Sequence, residues 1–156
     1  MRAVDTLIIH CSATPNGRAF TARHIDRWHA PRVDLRELAG RTEDDLHYNP
    51  SYPYIAYHAV ICIDGEVQPG RGENEPSSAN APVNQTSISV CLIGTDKFTA
   101  AQWAALLTYV EDAERRYGPL RVLGHRDCPG STKSCPGFDV AAWLAGGMKP
   151  LVGHVL

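Results

Sequence analysis

Short apolar runs recur along this chain, each closed by turn residues, and two stretches between them repeat with a helical period. Residues 6–10 read as a buried strand, with Leu7, Ile8 and Ile9 in continuous sequence. A helix is predicted over 21–29, with Thr21 as N-cap, Ile25 and Trp28 on one face, and Pro31 ending it. A second strand spans 56–63, turns at Asp64-Gly65 and pairs with 66–69. After loop-like sequence over 70–84, residues 87–93 read as a central strand. The strongest helical pattern follows. Thr99 caps it, Trp103, Leu106, Leu107, Val110 and Tyr117 form one stripe, and Gly118-Pro119 stops it. A strand over 120–124 and a short helix capped by Asp139, running through Trp143 and Leu144, complete the set. Strands and helices interleaving around one hairpin predict an α/β fold, a mixed central β-sheet flanked by helices.

The segment 32–53 breaks this regularity. It carries dense mixed charge and no period, and reads as a long surface excursion. With 156 residues, the chain is expected to form a single domain over 1–156, large enough for a core without disulfide or metal staples. A net charge of −2 gives no electrostatic argument for nucleic acid or a membrane surface, so neither is an expected partner. The amino-terminal apolar run is too short for a signal peptide, and no stretch approaches the roughly 20 apolar residues of a membrane span. The expectation is a monomer made in the cytoplasm, whose export needs outside help. The cysteine count of five argues against a disulfide framework. Cys62 and Cys91 sit inside apolar runs, where a free thiol acts as a small core hydrophobe.

Chemistry concentrates in residues 124–136, where His125, Cys128, Lys133 and Cys135 share a loop held by Pro129, Gly130 and Pro136. Imidazole and thiolate are preferred zinc ligands, and a catalytic zinc needs three protein ligands with a fourth position open. His10 and His125 both end strands, so two strand ends can converge on one site. Either Cys128, three residues after His125, or Cys135, ten after, can complete the set, and spacing alone leaves both open. Lys133 beside a candidate ligand can meet negative charge growing near the metal. His24 and His29 lie about 140° apart round a helix and do not make a metal pair. Tyr57 and His58, adjacent on a strand, point to opposite faces, and only one can reach the cleft.

Several pieces in order carry a resemblance: 8–14 (Ile8-Ile9-His10-Cys11-Ser12-Ala13-Thr14), Tyr57-His58-Ala59-Val60-Ile61 with Asp64-Gly65 and Gly70-Arg71, residues 84–94, Gly124-His125-Arg126-Asp127, and Lys133-Ser134-Cys135-Pro136-Gly137-Phe138-Asp139. Together they resemble zinc-dependent N-acetylmuramoyl-L-alanine amidases that share a fold with peptidoglycan recognition proteins, above all the small phage endolysins. The resemblance implies one zinc ion on His10, His125 and Cys135, with Tyr57 and Lys133 as catalytic residues flanking the water site and His58 turned to the core. It implies hydrolysis of the amide between N-acetylmuramic acid and L-alanine in peptidoglycan or muropeptides, after release to the cell wall. A family histidine in the loop after Gly70-Arg71 is replaced near Ala79, where the chain reads Ser77-Ser78-Ala79-Asn80. The alternatives in other classes are a cytosolic muropeptide-recycling amidase, a non-cutting peptidoglycan-binding module, a binding partner of a polymerase as in one phage relative, and a thiol hydrolase using Cys11 or Cys128.

Overall fold

The computed structural model describes residues 2–32, 49–79 and 81–156; most of the 32–53 excursion, with His47, lies outside them. Five strands, β1 (Thr6–Cys11), β2 (Ala59–Ile61), β3 (Val67–Pro69), β4 (Ser87–Leu92) and β5 (Arg121–Gly124), form one sheet in the order β3-β2-β4-β1-β5. β2, β4, β1 and β5 run parallel, and β3 is the antiparallel edge made by the hairpin. β1 and β4 are buried at all six positions, as central parallel strands covered on both faces are, and this burial includes the polar Ser87 and Ser89 of β4.

Helix α1 (Ala22–His29) covers one face of the sheet, whereas α2 (Ala100–Tyr117) and α3 (Val140–Ala145) cover the other. Leu7, Ile9, Ile88, Val90 and Leu92 pack against Trp103, Leu106 and Val110 of α2 and Trp143 of α3. Val60, Cys91 and Ile93 face Ala22 and Ile25 of α1. Thr99 caps α2 as predicted: its hydroxyl accepts from Gln102 N–H (3.1 Å), and Gln102 Oε1 accepts from Thr99 N–H (2.9 Å). The Gln102 amide also donates to the carbonyls of Ile61 (3.3 Å) and Ile93 (2.8 Å), tying the helix start to the sheet. Asp139 caps α3 by accepting from Ala142 N–H at 3.0 Å. No helix among the described residues is long and apolar enough to cross a membrane.

Two expectations change. Trp28 does not share the buried face of α1 with Ile25; it is 45 % exposed and packs edge-on against Phe20, so Ala22, Ile25 and Asp26 form the inner stripe. The predicted strand over 56–63 shrinks to Ala59–Ile61: at its start Ala56 N–H donates to His29 Nδ1 of α1 at 3.0 Å, and at its end Cys62 N–H closes the hairpin on the Glu66 carbonyl at 2.9 Å.

Candidate metal centre

The parallel strands β1, β4 and β5 end along one edge of the sheet, where side chains of α/β folds reach a crevice. His10 is the penultimate residue of β1, and its register partner on β4 is Cys91. His125 opens a 3-10 turn (His125–Asp127) directly after β5, closed by Gly124 N–H donating to Asp127 Oδ2 at 2.9 Å. The loop carrying Cys135 is then tied to this turn by Arg126 N–H donating to the Cys135 carbonyl at 2.7 Å. Sheet order thus puts His10, near the start of the chain, beside His125 and Cys135 of a single later segment. The ligand atoms of His10, His125 and Cys135 all lie within 4.8 Å of one another.

His10 is 1 % exposed, with its ring 4.7 Å from that of His125. Its Nδ1 meets Cys135 Sγ at 3.8 Å, while its Nε2 is buried with no hydrogen-bond partner. An imidazole enclosed this way is poorly satisfied by protein groups alone. Tetrahedral zinc, with bonds of roughly 2.3 Å to sulfur and 2.0–2.1 Å to nitrogen, sets sulfur-to-nitrogen edges of about 3.6 Å, close to the spacing found. Burial, then the neighbouring His125 and His29, hold the His10 pKa well below its ordinary value. Burial and then Lys133 lower that of His125. Both rings are therefore neutral at neutral pH, the state that can ligate a metal. The three residues fit a metal ion, with two neutral imidazoles and a cysteine sulfur that gives up its proton on binding, leaving a fourth position open.

The other thiols separate clearly. Cys128 is buried and its Sγ points at the Gly124 carbonyl (3.6 Å), outside the three-residue group. Cys11, which the sequence did not single out as a partner, is the thiol next to Cys135. Its backbone N–H donates to Cys135 Sγ at 3.2 Å. Hydrogen bonding between the two thiols draws the Cys11 pKa down to about 7 and pushes that of Cys135 up. Cys62 and Cys91 lie in the α1-side core as expected.

Tyr57 packs its ring on His10 at 4.9 Å, with its side chain beside the Cys91 thiol. His58 is buried, accepting from Ser89 N–H at 3.0 Å, so of this pair it is Tyr57 that reaches the site. Lys133 is exposed on the rim with Arg126, beside a cleft of about 330 Å³ that runs past Cys11, Ala13, Asp96 and Cys135. A larger groove of about 550 Å³, between α2 and the hairpin, holds none of these groups. His24 accepts from Thr21 N–H (3.1 Å) and serves the helix start. His29 was set aside as half of a metal pair, yet its ring lies 5.4 Å from Tyr57. The signal for it was there: residues 22, 25, 26 and 29 make one helical stripe, and two of the four are polar.

Fold and site together define an α/β protein with a compact His-His-Cys group, able to hold a metal ion, at the carboxyl edge of a mostly parallel sheet. A profile of the N-acetylmuramoyl-L-alanine amidase family matches residues 1–138. The chain belongs to the N-acetylmuramoyl-L-alanine amidase family. It is 29 % identical to an endolysin of Escherichia phage T7 over 149 residues, covering 90 % of this chain and 85 % of that one. An endolysin of Klebsiella phage KP32 is 28 % identical over 145 residues, covering 88 % and 83 %. Among solved structures, the N-acetylmuramoyl-L-alanine amidase LysC from Clostridium intestinale URNW shares the fold at a TM-score of 0.71 with 20 % identity, covering 95 % of this chain and 88 % of that one.

Proposed function

We propose that this chain, read as one catalytic unit over 1–156, is a zinc-dependent amidase that cleaves the bond between the lactyl group of N-acetylmuramic acid and L-alanine, acting as a phage endolysin. The observation that carries this is the converged donor set, His10, His125 and Cys135 within 4.8 Å, in a chain of the amidase family. Similarity to phage endolysins along most of both chains supports the lytic role. A complete donor set also favours cutting over mere binding.

Zinc held by these three residues supplies Lewis acidity and lowers the pKa of a water toward about 7. The protein supplies the rest. His10, enclosed by β1 and β4, and His125, fixed by the Asp127-closed turn, hold neutral nitrogens toward one point. Lys133 on the cleft rim stabilises negative charge on the amide oxygen as the carbonyl carbon becomes tetrahedral, a contribution of several kcal/mol. Tyr57, braced on His10, orients the attacking water. Water adds its oxygen to the carbonyl carbon, the carbon–nitrogen bond breaks, and the amine leaves with a proton. The products are a lactyl carboxylate and a free L-alanine amino terminus.

Mass spectrometry of products from intact sacculi and from soluble muropeptides tests this reading. An endolysin releases stem peptides with free L-alanine amino termini from sacculi. Cleavage of soluble muropeptides alone points to recycling, and no new amine from either substrate overturns the amidase reading.

A further inference from the structure

Three consecutive backbone N–H groups just ahead of Tyr57 donate to side chains of α1 and not to a strand. Asp26 Oδ1 accepts from Tyr54 N–H at 2.7 Å and from Ile55 N–H at 3.0 Å. His29 Nδ1 accepts from Ala56 N–H at 3.0 Å. Asp26 and His29 are three apart on one helix face, so they meet one extended segment together. Asp26 is buried, at 8 % exposure, on a stripe where Ala22 and Ile25 are apolar. An enclosed carboxylate is tolerated when N–H groups satisfy it, and such charge-assisted bonds are roughly twice as strong as neutral ones. Helix α1 therefore holds the 54–56 backbone at three successive points.

The consequence falls on the next residue. The Tyr57 ring packs against both His29 (5.4 Å between centroids) and His10 (4.9 Å), and its side chain lies beside Cys91, the register partner of His10. A donor into Nδ1 also fixes the neutral tautomer of His29 with its hydrogen on Nε2. We propose that Asp26 and His29 are positioning residues, which clamp the 54–56 backbone and so keep Tyr57 in catalytic register with the metal ligand His10. This rests on the reading that Tyr57 serves the hydrolysis. An ångström of misplacement in a reacting group costs up to about 10²-fold in rate, so a backbone clamp outside the cleft is felt in kcat.

The test uses the zinc-loaded protein and a soluble muropeptide, with His29→Ala, His29→Asn, Tyr57→Phe and the His29→Ala/Tyr57→Phe double variant. Asparagine places its Oδ1 near the position of histidine Nδ1 and restores the acceptor. His29→Ala is expected to keep zinc and lower kcat about 10- to 100-fold, with KM changed by less than about two-fold. His29→Asn recovers most of that loss. In the Tyr57→Phe background the alanine change costs little more, because the group it positions is already gone. Amide exchange of residues 54–56, read by NMR on the metal-free protein, accelerates at Ala56 in His29→Ala and is restored in His29→Asn. Where alanine unfolds, His29→Gln, whose acceptor sits one methylene further out, is expected to fold and show the low kcat. Wild-type kcat in His29→Ala, or equal losses in both backgrounds without rescue by asparagine, overturns the proposal. An inactive wild-type protein overturns the amidase reading instead, and the exchange data still report on the clamp.

Discussion

His58 is enclosed as tightly as His10, but its hydrogen bonds are met inside the protein: Nδ1 accepts from Ser89 N–H (3.0 Å) and Nε2 donates to the Glu75 carbonyl (2.8 Å). Burial brings its pKa down to about 4. The unfolded chain, with an ordinary histidine near 6.5, therefore binds more protons between those values, and stability must fall as pH drops from about 6.5 toward 4. Urea unfolding of metal-free protein at about pH 7 and about pH 5 is expected to show wild type losing about 2 kcal/mol more than His58→Gln. Equal losses would contradict the burial argument. The same contrast explains what single residues disclosed in sequence. His10 and His125 were legible because strand ends and thiol-rich loops are where ligands sit. The choice between Cys128 and Cys135 was not, since it depends on which way the loop returns. Only the resemblance chose Cys135, the one of the two thiols that lies with His10 and His125. His29 was missed because its partners are backbone groups nearly thirty residues away.

Elements were legible where a cap and a period agree, as in α2, whose Thr99 cap and Gly118 stop stand where the pattern puts them. β2 was overdrawn, because apolar sequence runs on through Cys62 and Ile63, where the chain already turns into the hairpin. The loop carrying Cys135 depends on Gly137, which has φ +87° and sits so close to the Thr95 carbonyl that a Cβ would lie 2.1 Å from its oxygen. Gly137→Ala combines a strained backbone with that collision, so it should cost at least about 2 kcal/mol and weaken zinc retention by shifting Cys135. Gly118→Ala has a similar φ of +85° but open space around it, and should cost about 1 kcal/mol without affecting zinc. Thermal unfolding with metal analysis of both variants decides this. Zinc loss in both, or in neither, speaks against a loop-specific role.

For the whole molecule, interleaved strands and helices gave away a mixed sheet with helices on both faces. Strand order did not follow, because β1 and β4 are alike in length and burial, and the short β5 carries no pattern that names its neighbour. That order is what matters for function: it sets β1 between β4 and β5, so residues 10, 125 and 135 meet at one edge. The proposed hydrolysis requires that meeting point to be a catalytic zinc site. The direct measurement is zinc content together with amine release from purified cell walls, on the same preparations of wild type, Cys135→Ala and Lys133→Ala. The expected result is one zinc and full activity in wild type, neither in Cys135→Ala, and one zinc with a rate reduced roughly 10²–10³-fold in Lys133→Ala. A Cys135→Ala protein that holds no metal and still hydrolyses at the wild-type rate would contradict it.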